Sequence, residues 1–336
     1  MLRLGIARSR DPVETHERVQ TILTDWGWLM APASTILVVS QSLLVNLNHC
    51  AECTRFLVLL TESSKLLICF VLLIMYTDMN LKSILRDFQN WRDLRLYALP
   101  GLVYVIQNNI VLIALAKVPA PTYLMLLNLK IPMTALLYVF ALKRALNGIE
   151  WAAILLLLLG VISSQLDPCN ADWSSEITSD SIFGFFLVFL ICVASSFASV
   201  YTEYLMKRNL NEPIFLQNMK LYLFGIFFEL LALPFYNDDR ESETFSHYLS
   251  FTGLLTLMNQ TAMGLVVSVV IKHANVMVNV FANGVAMILT TLLSMLVMSF
   301  HPTLQLFVGI ATVTISLFLY NYERQRTRLD DHAYMV

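Results

Sequence analysis

Apolar residues recur along this chain in blocks of about 20, the length a helix needs to cross the hydrocarbon core of a bilayer. Ten blocks can be counted, at roughly 28–47, 55–76, 97–116, 120–142, 149–166, 182–206, 214–236, 249–271, 276–298 and 303–321. Most are joined by short connections, which suits antiparallel neighbouring helices. The exceptions are Thr77–Leu96, Asp167–Ser181 and Asn237–Tyr248. The pattern predicts an all-α membrane protein of ten transmembrane helices. An N-terminal segment (1–27) precedes the helical domain (28–322), and a C-terminal tail (323–336) follows it.

Composition agrees: 57% of residues are hydrophobic and 14% charged, with a mean hydropathy of +0.65, outside the range of a soluble domain. The basic residues fix the expected orientation, because cytoplasmic loops are enriched in Lys and Arg. With the N-terminus in the cytosol, 16 of the 22 Lys and Arg residues fall in cytosolic segments. The opposite face then holds only Arg55, Lys117 and Arg240, together with two acidic loops around Asp167–Asp180 and Asp238–Glu243. Both termini are expected in the cytosol. Met1–Asp25 has four arginines and four acids but no apolar core, so the first span is expected to act as its own insertion signal. Ten spans with both ends on one side divide into halves of five (28–166 and 182–321). Five is odd, so homologous halves are inverted relative to each other, a recurring transporter design.

Three lysines, Lys65, Lys130 and Lys220, interrupt these spans. An ammonium at the bilayer midplane costs about 2.5–3.5 kcal/mol on insertion scales, so it faces a polar pathway or a counter-ion. Three lysines facing one cavity would attract an anion. Lys65 has Glu62 three residues earlier as a ready partner, and Lys130 has Glu62, Glu203 and Glu229 as candidate counter-ions, so pairing remains open beside substrate binding. On the third span Tyr104, Gln107 and Asn108 share a helical face, with Asn109 beside them. They serve either helix packing or a cavity wall that hydrogen-bonds a base or ribose. On the fourth, Tyr123 and Lys130 are two turns apart on a continuous helix, and Pro121 and Pro132 are positioned to kink it. Ser196 and Ser199 on the sixth span suit close packing. Asn218 and Tyr222 lie one turn apart on the seventh, and Asn275, Asn279 and Asn283 form a stripe on the ninth. The sequon at Asn259 lies within a span and is expected to be unglycosylated.

Catalytic and metal signatures are missing. The chain has no Gly-rich phosphate loop, no nucleophile motif and no aqueous carboxylate pair. Cys50, Cys53 and Cys169 fall on one predicted face as free thiols or a luminal disulfide, short of the four ligands structural zinc takes. No enzyme, cofactor or nucleic-acid partner is expected; the lipid bilayer is.

The stretches TESSKLL (61–67), YVIQNN (104–109), NLKIPMTALLY (128–138), SSFASVYTEYLMK (195–207), FLQNMKLYLFGI (215–226) and GLVVSVVIKHAN (264–275) together resemble the nucleotide-sugar transporters of the Golgi and ER. The resemblance covers roughly residues 30–321 and points to the CMP-sialic acid/UDP-galactose/UDP-N-acetylglucosamine branch of the drug/metabolite transporter superfamily. FLQNMKLYLFGI and the late FHPTLQLF segment look more like less-studied UDP-sugar members. The resemblance implies an antiporter of the Golgi membrane, or of the ER, exchanging cytosolic nucleotide-sugar for luminal nucleoside monophosphate. It implies nucleotide contacts at Tyr104, Gln107, Asn108 and Asn109, phosphate contact at Lys130 with Tyr123 beside it, and cavity lining by Ser195, Asn218 and Tyr222. It also leaves room for a homo-oligomer or a complex with related transporters. The chain departs from the family on the ninth span, where Asn279 and FANG (281–284) stand in place of a lysine-bearing signature. A carrier of another anionic metabolite and a non-transporting scaffold for glycosylation proteins are the alternatives.

Overall fold

The computed structural model describes residues 30–41, 44, 54–76, 88, 91–118, 123, 126–142, 146–165, 179–210, 212–232, 251–298 and 304–333. All of these are helix, turn or short link, with no strand among them. The main helices are α1 (Met30–Gln41), α2 (Thr54–Tyr76), α3 (Ala98–Lys117), α4 (Lys130–Leu142), α5 (Gly148–Gln165), α6 (Ser179–Arg208), α7 (Ile214–Ala232), α8 (Phe251–His273), α9 (Val276–Met298) and α10 (Leu304–Ala333). Among the described residues four stretches are long and apolar enough to cross a membrane: Val58–Met75, Ile182–Arg208, Ile214–Ala232 and Phe251–His273. α10 runs past the expected end of the tenth span, so most of the expected tail is helical. Cys50, Cys53 and Cys169 lie outside the described residues.

The fourth span has a feature that matters for the site. Hydropathy makes 120–142 one span with Pro121 and Pro132 positioned to kink it, and the chain turns at Asn128–Leu129, with α4 starting afresh at Lys130. Pro132 supplies the reason. It has no N–H to donate, and its ring clashes with the carbonyl four residues earlier, which is that of Asn128. That carbonyl instead accepts from Ile131 N–H at 2.9 Å, and Leu126 O accepts from Leu129 N–H at 3.0 Å. Freed polar groups need partners where water is excluded. α6 provides them: the Cys192 thiol lies 3.7 and 3.8 Å from the carbonyls of Leu126 and Leu127, and Ser196 Oγ donates to Lys130 O at 3.3 Å. Thr134 Oγ1 donates to Ser196 Oγ at 2.9 Å and completes the seam.

The bundle is held by paired helices. α3 packs on α6 and α7, α2 on α7 and α8, and α4 on α5, α6 and α9. α5 and α10 form an antiparallel pair, since partners further along one lie earlier on the other: Asn147 Nδ2 donates to Glu323 Oε1 (3.1 Å), Ser316 Oγ to Ala153 O (2.6 Å) and Ser163 Oγ to Gln305 O (3.2 Å). Gly160 allows the closest approach in this pair. A Cβ placed there falls 2.7 Å from Val313 Cγ2, 3.0 Å from Val313 N and 3.1 Å from Gly309 O, and helix backbone cannot yield as a flexible side chain does. Gly160→Leu is therefore expected to destabilise the protein by about 1–3 kcal/mol through overpacking, read as a lower melting temperature in detergent. Gly148→Ala, with nothing within 4 Å of the new atom, should leave the melting temperature unchanged; equal effects would refute the packing account.

Candidate functional site

The three lysines that interrupt the expected spans differ in their partners. Lys220 on α7 pairs with Glu212 of the α6–α7 link and sits 5.9 Å from the Tyr97 ring. Lys65 on α2 donates to Glu62 Oε1 at 2.8 Å, and its ammonium stands 5.4 Å from the centroid of the Tyr222 ring on α7, within cation–π range. Gly264 of α8 makes room for it, because a Cβ there would fall 2.5 Å from Lys65 Cε and 2.9 Å from Nζ. Lys130 is different: among the described residues no carboxylate lies within ion-pair distance of it. Of its three candidate counter-ions, Glu62 is taken by Lys65, and Glu203 by Lys207 at 2.7 Å and by the backbone N–H of Val276 at 2.7 Å. Glu229 is buried on α7.

A polar group gathers around the Glu62–Lys65 pair. The Tyr104 phenol of α3 shares hydrogen bonds with the hydroxyls of Thr202 and Ser199 on α6, and Glu62 acts on it electrostatically. Tyr222 is buried, its hydroxyl 3.4 Å from Ser268 Oγ of α8, and both Tyr104 and Glu62 are its electrostatic neighbours. Asn218 is buried one turn earlier on α7 beside Cys69 of α2. Among the described residues its Oδ1 and the Oε1 of Gln107 are buried acceptors with no hydrogen-bond partner. Such atoms cost free energy unless something binds them. Five helices, α2, α3, α6, α7 and α8, thus turn polar groups toward one region, and two acceptors there stand ready for a donor.

The remaining expected residues are distributed around this region. Ser195 is buried on α6, and its carbonyl accepts from Ser199 Oγ at 2.8 Å. Ser196 serves the α4–α6 seam. Tyr123 is buried in an apolar cluster with Ala114, Val118, Leu187, Val188, Ile191 and Cys192. It and Lys130 are not two turns apart on one helix, since the chain breaks between them, yet both lie within electrostatic reach of Cys192. Asn108 and Asn109 lie on α3 with side chains outside the described residues. On α9, Asn275 caps the helix through Oδ1 to Val278 N–H (2.9 Å) and donates to Tyr138 OH of α4 (3.4 Å), while Asn279 Oδ1 is another buried acceptor without a partner.

Several contributors escape a reading by span. Ser268 and Thr202 look like ordinary packing hydroxyls, and only the neighbouring helix reveals their phenol partners. Asn259, noticed in the sequence as a buried sequon, ties α8 to α1: its Nδ2 donates to Leu37 O (3.0 Å) and Gln41 Oε1 (2.9 Å), and its Oδ1 accepts from Ser40 Oγ (2.8 Å).

Known proteins share this chain's sequence and fold. The family model described as nucleotide-sugar transporter matches residues 32–321. CMP-sialic acid transporter 1 of Arabidopsis thaliana is 34% identical over 308 residues, covering 88% of this chain and 90% of its own. The UDP-N-acetylglucosamine transporter of Homo sapiens is 33% identical over 230 residues, covering 67% and 70%. A solved crystal structure superposes with a TM-score of 0.66 at 15% identity, over 88% of this chain and 97% of that one, and so shares the fold. With the match spanning nearly all of the helical part, the chain belongs to the nucleotide-sugar transporter family: it is a transmembrane transporter rather than an enzyme.

Proposed function

We propose that this protein exchanges a cytosolic nucleotide-sugar, a UDP-sugar, for luminal UMP across the Golgi or ER membrane, with Lys130 receiving the phosphates. The observation that carries the reading is the contrast among the three span-interrupting lysines: Lys65 and Lys220 have carboxylate partners, and Lys130 has none among the described residues. An ammonium in a poorly hydrated site attracts phosphate far more strongly than in water. Lys130 also opens α4 just after a helix break, and a half-helix N-terminus aims its dipole at anions. Tyr104, Gln107, Asn108, Asn109, Asn218 and Tyr222 are assigned to the nucleoside, with Ser195 and Tyr123 lining the cavity. Lys65, held against Glu62, contacts substrate only through a shared pair. The uridine preference rests on the UDP-sugar-like segments 215–226 and 300–307 alone, since the relative named for CMP-sialic acid matches over 88% of this chain and the one named for UDP-N-acetylglucosamine over 67%.

In this reading residues 28–322 form the carrier, its ten spans divided into inverted halves, with both termini cytosolic. Helix pairing supports the division. Exchanging α2 with α7, α3 with α8, α4 with α9 and α5 with α10 turns the α3–α7 pair into α8–α2 and the α4–α5 pair into α9–α10, and all four pairs are in contact. Alternating access then follows from one half rocking on the other around Lys130.

Three outcomes test this reading. Lys130→Ala should leave the protein folded but weaken nucleotide-sugar affinity about 10- to 150-fold, the loss of a charge-assisted contact of roughly 1.5–3 kcal/mol, with partial rescue by Lys130→Arg; normal uptake by the alanine variant would reassign Lys130 to structure. Vesicles preloaded with UMP should take up labelled UDP-sugar several-fold faster than empty ones, because a bound monophosphate offsets the cavity's positive charge on the return step. Equal initial rates would refute exchange, and stronger stimulation by CMP would refute only the uridine preference. Epitope tags on both termini should be reached by antibody after selective permeabilisation of the plasma membrane alone; a tag reached only once internal membranes are opened reverses the topology.

A further inference from the structure

We propose a second anion subsite at the end of the bundle where α6 and α8 finish and α7 begins, built on Lys220 and Lys272 and closed by Glu212. Its ligand is a phosphate group. Lys220 and Lys272 are each 4% exposed, and both reach the same residue of the short α6–α7 link. Lys220 Nζ pairs with the Glu212 carboxylate, and Lys272 Nζ donates to the Glu212 backbone carbonyl at 2.6 Å. The Tyr97 ring walls one side. The site is separate from the region around Tyr222: Lys220 lies two residues from both Asn218 and Tyr222, roughly 200° around the helix.

Among the described residues the charges here do not balance. Two buried ammonium groups meet at Glu212, whose carboxylate pairs with Lys220 while Lys272 takes only its backbone carbonyl, and the other described acids at this end are committed elsewhere. Glu203 holds Lys207 and caps Val276, and Asp93 faces Arg208 at 3.9 Å. Among the described residues no carboxylate lies within ion-pair distance of Lys272. An ammonium has three donors, and among the described residues Lys272 has one hydrogen-bond partner, a backbone carbonyl. A buried charge is costly unless paired, so the arrangement suits an anion carrying more charge than a carboxylate. Glu212 is the group that can leave, being on a link rather than in a helix and its side chain 14% exposed. A phosphate, with several acceptor oxygens, satisfies both point-charge donors at once. It arrives either on a nucleotide or on a lipid headgroup. The nucleotide source rests on the proposed transport function and the headgroup source does not.

The test is a thermal-shift titration of the full chain in neutral detergent with inorganic pyrophosphate, in a Lys130→Ala background that silences the proposed central site. Saturable stabilisation is expected. Glu212→Gln, which weakens the internal competitor, should tighten the apparent Kd about 10-fold, equivalent to roughly 1.4 kcal/mol, and Lys272→Gln should weaken it by at least as much. Should Lys272→Gln fail to fold, the Glu212→Gln comparison decides alone. Mixed micelles containing phosphatidylinositol 4-phosphate form the second arm. Stabilisation by that lipid without pyrophosphate, with the same dependence on Glu212, assigns the phosphate to a headgroup. If Glu212→Gln leaves the response to both probes unchanged or weaker, the subsite does not exist. Uptake assays that refute the transport reading leave this titration standing.

Discussion

Hydrocarbon offers no hydrogen bonds, so every polar group in a membrane-embedded bundle must find its partner within the protein. The break in the fourth span turns on this constraint. Pro132 forces the helix open at Asn128–Leu129, and the opening persists because Cys192 and Ser196, one turn apart on α6, stand beside the freed carbonyls. Lys130 owes its position to that accommodation. On an uninterrupted helix it would be one more side chain on a cylinder, whereas here it begins a helix, where backbone and side chain both present positive charge.

The same constraint sorts the charged residues. Lys65 and Lys220 are matched by Glu62 and Glu212, which removes most of the cost of burying them. Glu203, fully buried, is matched twice, by Lys207 and by the first N–H of α9. Among the described residues the buried amide oxygens of Gln107, Asn218 and Asn279 have no hydrogen-bond partner, and those of Gln217, Gln260 and Gln305 share that state.

The α8–α9 corner connects these features. Lys207 of α6 donates to Ala274 O at 2.6 Å, Glu203 caps Val276, and Asn275 reaches Tyr138 on the helix that Lys130 begins. α4 and α6 thus both meet the two-residue link that joins α8 to α9.

The sequence by itself determined the class, the family and the identity of the polar residues, because span-length apolar blocks and intramembrane lysines are properties of the local chain. TESSKLL already held Glu62 and Lys65 at a spacing that pairs them, and Pro132 already announced a disturbed helix. Which residues answer each other was decided by tertiary structure. Nothing near Lys130 says that Glu203 is spent on α9, nor does Ser268 reveal a phenol from α7. Lys220 makes the same point: it looks intramembrane by hydropathy, and only the packing shows that the α6–α7 link folds Glu212 back onto it. A span's composition fixes that a polar group must be satisfied, and only the packing of other helices against it fixes by what.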